Sequence, residues 1–180
     1  VWIDSQSLEN LSEDESYEKL QNVSGIIVPQ GWGSRGVEGK IAAARFARVN
    51  KIPYLGLCFG MQMASIEFGR NVVGLKKADT TEVDPKTPHP VIHIMPNQAE
   101  YLAKKQYGGT IRLGAWPCVI KKGTILESAY KKYGGSKSNV WYQPNPLFST
   151  KPPTTNYQLL IYERHRHRYE FNNKFVMDYE

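Results

Sequence analysis

The sequence predicts an α/β fold: a doubly wound, mostly parallel sheet flanked by helices. Three observations predict it. Short apolar runs alternate with helix-period segments, giving strand, helix, strand, helix within about 45 residues from Ser24 to Phe68. A helical crossover between two such strands makes parallel pairing the expectation. Both strands end in glycine-bearing turns, so the turns fall at the carboxyl edge of the sheet, where folds of this kind bind ligands.

Residues 5–22 are acidic and polar, with Leu8, Leu11, Tyr17 and Leu20 as the sizeable apolar side chains, and read as a loop leading into a short helix. Ser24 to Pro29 reads as a buried strand, because it is short, β-branched and stopped by proline. The loop Gln30-Gly31-Trp32-Gly33-Ser34-Arg35-Gly36 follows. From about Val37 to Val49 the spacing predicts a helix, with Ile41 and Ala44 on an apolar face and Arg45 and Arg48 on a charged one. A strand at Tyr54–Leu57, a tight turn and a helix from Met61 to about Phe68 complete the unit, and Pro90 to Met95 supplies another strand. From Gly114 to Tyr157 the pattern decays into Gly, Pro, Asn, Ser, Thr, Lys and Tyr. That stretch reads as an insertion or flap with Lys151-Pro152-Pro153-Thr154-Thr155 as a surface excursion and Ile120, Ile125 and Leu126 as anchors.

Composition narrows the function classes. The 180 residues, 41 % of them hydrophobic, suffice for one core and predict one domain. No run of 18 apolar residues exists, which excludes a helical membrane span. Cys58 and Cys118 are the two cysteines, which argues against a disulfide framework and for a reducing cytoplasm. The start, Val1-Trp2-Ile3-Asp4-Ser5, carries neither an initiator methionine nor signal-peptide regions, and reads as part of something longer. The net charge of +6 divides into −1 over residues 1–90 and +7 over residues 91–180. Nucleic acid would suit that asymmetry, yet the lysines come in scattered pairs and form no continuous tract.

The chemistry concentrates at Gly56-Leu57-Cys58-Phe59-Gly60. A strand delivers one side chain to a tight turn and a helix starts beneath it, the arrangement of a nucleophile elbow. A thiol at a helix N-terminus favours the thiolate, the nucleophilic form. A structural cysteine between glycines gives the same local pattern. The glycine loop after Val28 can aim backbone N–H groups at an oxyanion formed on a carbonyl that Cys58 attacks. A plain strand-to-helix turn is its other reading, and no nucleotide-site residues complete its Gly31-x-Gly33-x-x-Gly36 spacing. In Glu163-Arg164-His165-Arg166-His167-Arg168-Tyr169, a strand would turn the arginines to one face and the histidines and Tyr169 to the other. Metal binding at His165 and His167 lacks further ligands nearby, whereas the arginine row suits nucleic acid or a carboxylate equally, and a solvated charged strand is the commonest fate of such a row. His89 and His93 read as ordinary strand or surface residues.

Four blocks together resemble the glutaminase domains of CTP synthases, within the class I glutamine amidotransferases. They are Val28 through Lys40; Leu55 through Gln62; Ala78-Asp79-Thr80-Thr81-Glu82-Val83-Asp84-Pro85 with His89-Pro90-Val91; and Gly108 through Gly114 with Glu163 through Tyr169. The resemblance implies that Cys58 is the nucleophile taking the γ-glutamyl group. It implies that Gly31 and the Phe59-Gly60-Met61 backbone contact glutamine and its oxyanion, that Gln62 and Glu82 hold the α-amino end, and that Arg168 binds the α-carboxylate. A cation for the carboxylate, an anion for the ammonium and a thiolate for the amide make consistent chemistry.

The same resemblance implies an amino-terminal synthetase domain that uses ATP and Mg²⁺ to aminate UTP, with no cofactor in this part, and a cytoplasmic homotetramer. Three departures stand out. Gln30 replaces a usual glycine, where a left-handed backbone would be costlier. Residues 115–160 replace a usual short connection. The family's His-Pro-Glu, which supplies the base and its orienting carboxylate, is absent, and His89-Pro90 is followed by Val91. The chain therefore reads as a partial domain, residues 1–180, inactive alone. A catalytically dead binding or regulatory module is the alternative reading, with a basic nucleic-acid-binding domain behind it.

Overall fold

The computed structural model describes residues 1–104, 112–133 and 159–180. These divide into two compact units, one of residues 1–100 with 169–180 and the other of residues 101–168.

In the first unit, α1 (Glu13–Leu20) starts at a capping box. The Ser12 hydroxyl accepts from the Glu15 amide at 3.3 Å, and the Glu15 carboxylate accepts from the Ser12 amide at 2.8 Å. Strand β1 (Ile26–Val28) leads through the glycine loop to α2 (Val37–Val49), then to β2 (Tyr54–Gly56) and α3 (Phe59–Phe68). β1 and β2 pair in parallel, with Ile26 opposite Tyr54 and Val28 opposite Gly56, so residues 26–68 form the expected β-α-β-α unit. The bounds of α2 are those its spacing predicts. α3 begins two residues earlier than predicted, because the helix starts immediately after Cys58.

β3 (Ala78–Thr80) pairs in parallel with β4 (His89–Ile94), which pairs antiparallel with β7 (Tyr169–Phe171). A register shift between Asp79 and Thr80 redirects the chain as it leaves β3 into the turn that carries Glu82. The core packs Val37 and Ile41 of α2, Phe59, Met63 and Ile66 of α3, and Val91 and Ile92 of β4. Full burial of each such large side chain stabilises by roughly 1.5–3 kcal/mol. The two helices are also pinned by charge. Glu67, 2 % exposed, accepts from Arg48 Nη2 at 2.7 Å and from Asn71 Nδ2 at 3.1 Å, as a buried carboxylate must. At the end of the chain, α6 (Val176–Tyr179) ties back when the Tyr179 hydroxyl donates to the Ser65 carbonyl at 2.6 Å.

One expectation fails in this unit. β1 is not buried on both faces, since Ile27 is 66 % exposed and its cross-strand neighbour Leu55 52 % exposed. The sheet rests on α3 through Val28 and Gly56, and the alternate residues point away from it.

The second unit holds the antiparallel pair of β5 (Arg112–Ile120) and β6 (Leu159–His167), with α5 (Ile125–Tyr133) between them in sequence. α4 (Pro96–Ala103) runs across the boundary between the units. Ile120 is buried as an anchor, but Ile125 and Leu126 are 91 % and 52 % exposed and anchor nothing. Both stand in the first turn of α5, whose buried residue is Glu127. The Glu127 carboxylate accepts from the Gly123 amide and pairs with Lys131. The Gly108–Ile111 block and the Lys151–Thr155 excursion lie outside the described residues.

Candidate active site

Cys58 occupies a backbone conformation that L-residues avoid, φ 52° and ψ −103°, between β2 and α3. Residues held in such sparsely populated regions cluster at functional sites. The surrounding contacts over-determine it. Leu57 N–H donates to the Val28 carbonyl at 2.9 Å, Gly60 N–H to Leu57 at 3.0 Å and Gln62 N–H to Cys58 at 3.2 Å. The Tyr54 hydroxyl donates to the Gly60 carbonyl at 2.8 Å. The flanking glycines are sterically required, because a Cβ on Gly56 would lie 2.5 Å from Met61 N and one on Gly60 2.1 Å from the Val28 oxygen.

Cys58 is exposed as a residue, yet partial burial of its thiol pushes the pKa up. The Phe59 amide opposes that push by hydrogen-bonding the sulfur, and the nearby Glu82 carboxylate adds to it. The lowered value expected from the helix N-terminus alone is thus not reached, because desolvation outweighs the single aimed amide. No side chain caps α3, so the first-turn amides are not taken by a capping group.

The glycine loop reaches the elbow: a Cβ on Gly31 would stand 3.5 Å from Cδ1 of Phe59. Gly33 adopts φ 75°, and its amide donates to Glu82 Oε1 at 2.9 Å. Gln30 is not among the positive-φ residues, so its departure from glycine introduces no strain. Glu82 is half-buried, and burial raises its carboxyl pKa against the lowering hydrogen bond from Gly33. Gln62, 4 % exposed, donates from Nε2 to the Tyr169 carbonyl at 3.1 Å, while Met61 is 44 % exposed.

The first unit therefore brings together Gly31, Cys58, Phe59, Gly60, Met61, Gln62 and Glu82. Arg168, half-buried in the bend between β6 and β7, is the last residue of the second unit. The sequence did not announce the support given by the Tyr54 hydroxyl or by Thr80, whose hydroxyl accepts from the Glu82 amide at 3.2 Å, although Thr80 lies in the Ala78–Pro85 block.

In the second unit His165 and His167 share a face, as the strand pattern predicts, with Nδ1 and Nε2 2.9 Å apart. Among the described residues no three His, Cys, Asp or Glu side chains gather as a metal site. None of the helices there is long and apolar enough to cross a membrane.

The sequence matches the family described as Glutamine amidotransferase class-I over residues 1–179. It is 46 % identical over 174 residues to a CTP synthase of Halalkalibacterium halodurans, covering 97 % of this chain and 27 % of that protein. To a CTP synthase of Sulfurisphaera tokodaii it is 47 % identical over 176 residues, covering 98 % and 27 %. The fold is similar to the solved Trypanosoma brucei CTPS glutaminase domain with bound acivicin, at a TM-score of 0.72 and 34 % identity, covering 99 % of this chain and 57 % of that one. The chain thus spans about a quarter of the length of its curated CTP synthase relatives. It belongs to the class I glutamine amidotransferases, and has their fold.

Proposed function

We propose that this amidotransferase domain hydrolyses glutamine with Cys58 as nucleophile and supplies the ammonia for amination of UTP to CTP within a full-length CTP synthase. The observation that carries the reading is the left-handed Cys58 backbone, locked by Gly56 and Gly60 with Gly31 packed against Phe59. In the first step the Cys58 sulfur adds to the amide carbon, and the Gly31 and Phe59 amides stabilise the oxyanion. The thiol proton passes to a base supplied from outside these residues and from it to the amide nitrogen; the C–N bond then breaks, ammonia leaves, and water hydrolyses the remaining thioester to glutamate and the free thiol. Gln62 and Glu82 receive the α-amino end and Arg168 the α-carboxylate. The amination itself would use ATP and Mg²⁺ on a synthetase domain outside these residues, in a cytoplasmic homotetramer.

A glutamine-like electrophile tests the nucleophile. In the full-length protein the adduct is expected on Cys58, and an adduct on Cys118 overturns the assignment. Cys58→Ala is expected to abolish glutamine-dependent CTP formation, a loss of several orders of magnitude, and to spare ammonia-dependent formation. A domain that binds glutamine without turnover would favour the dead-module reading. One that ignores glutamine and binds RNA with a steep salt dependence would favour the nucleic-acid reading.

A further inference from the structure

The carboxylate assigned to the substrate's ammonium group is already at work in the protein. Glu82 Oε1 accepts from the Gly33 amide at 2.9 Å, across 49 residues of sequence. The turn presenting it is well held: Val83 and Asp84 N–H both donate to the Thr80 carbonyl, at 3.1 and 3.0 Å, and Thr80 is fully buried. The loop it grips is tied at its far end, where Lys40 Nζ donates to the Arg35 and Gly36 carbonyls at 3.0 and 3.3 Å, while its middle is gripped through the Gly33 amide. Gly33 and Gly36 both adopt positive φ, and α2 starts at Gly36 with no side-chain cap. Gly31, two residues before the gripped amide, is the loop residue packed on Phe59.

We propose that Glu82 is a positioning residue for the reaction: by holding the Gly33 amide it fixes the Gly31–Gly33 backbone against the Cys58 elbow. A carboxylate has lone pairs for more than one donor, so it can hold the amide and an ammonium together. Occupancy of the amino-group site is thereby coupled to the geometry of the oxyanion site. An amine-bearing substrate tightens the loop that activates its own amide, whereas an amide lacking the α-amino group gains nothing from it. The inference rests on the reading of Cys58 and its loop given above.

Charge and hydrogen bond can be separated by substitution, with glutamine hydrolysis measured in the full-length protein. Glu82→Gln keeps an acceptor for Gly33 and loses the charge, so KM should rise tenfold or more while kcat changes about threefold at most. Glu82→Asp keeps the charge but falls one methylene short of Gly33, so the larger loss, about tenfold, should be in kcat. Glu82→Ala should show both. Hydrogen exchange at the Gly33 amide gives a readout independent of turnover: faster in the Asp and Ala variants, protected in Gln. The proposal is overturned if the Gln and Asp variants show the same split, or if Gly33 stays protected in the Ala variant. Failure of the nucleophile reading would appear separately, as hydrolysis surviving Cys58→Ala.

Discussion

The two strand-to-helix turns of the first unit do similar jobs with opposite means. After β2 the chain enters α3 within two residues, and the elbow is held by its own backbone hydrogen bonds, by one more to Val28 of the paired strand, by the Tyr54 hydroxyl and by two glycines with no room for a Cβ. After β1 eight residues intervene before α2, and the middle of that loop is held by one carboxylate far away in sequence. A strained, fixed backbone suits a nucleophile that must not move. A loop held through a side chain can respond to what that side chain binds. One turn is rigid, and the other depends on a distant side chain.

The same substitution in the two turns should expose this contrast most strongly. Gly60→Ala drives a Cβ to 2.1 Å from the Val28 oxygen, and backbone cannot yield as a side chain tip can. We expect a stability loss of about 3 kcal/mol or more, read by urea denaturation. A variant within 1 kcal/mol of wild type (roughly the error of such comparisons) would show that the elbow can relax. Arg168→Ala touches neither turn. Its expected effect is a higher KM for glutamine, equivalent to about 1.5–3 kcal/mol for a lost charged hydrogen bond. A larger effect from Arg164→Ala would move the carboxylate site along the row.

Gly33→Ala meets nothing within 4 Å, so only its φ of 75° resists. About 1–2 kcal/mol is expected there, and equality with Gly60→Ala would break the comparison. The smallest effect is electrostatic. Burial raises the Cys58 pKa, so alkylation by a neutral reagent should have its midpoint above that of an ordinary exposed cysteine. Glu82→Gln removes a like charge beside the thiolate and should move that midpoint down; an unchanged midpoint would place Glu82 outside electrostatic reach. The linkage has a sign. The folded state holds the thiol proton more tightly than the unfolded, so this group's contribution to stability falls as pH rises from the unfolded value through the folded one.

Local pattern carried much of this into the sequence. Helix spacing delivered α2 with its ends, and the glycines around Cys58 announced the elbow, because both signals arise between neighbours. What the sequence hid is non-local or a matter of balance. Nothing near Gly33 announces a carboxylate at residue 82, although each residue separately belongs to a recognisable block. The continuous apolar run Ile26-Ile27-Val28 cannot tell a strand covered on both faces from one covered on a single face. Ile125 and Leu126 look like anchors by hydropathy alone, whereas the buried side of that helical turn is taken by Glu127. The helix N-terminus spoke for a low thiol pKa, and only the three-dimensional crowding of the sulfur reverses it.

The open face of the β1–β2 pair has a practical consequence at the bench. Ile27 and Leu55 lie side by side on it, and among the described residues nothing covers them. An apolar face on a two-stranded ribbon is a template for unwanted self-association. A preparation of these 180 residues alone should therefore grow turbid as it is concentrated, and a mild detergent should clear it. Ile27→Thr with Leu55→Thr puts a β-branched, polar side chain at both strand positions and removes the apolar surface. That pair is the first change to make before attempting crystals or spectra of the domain by itself.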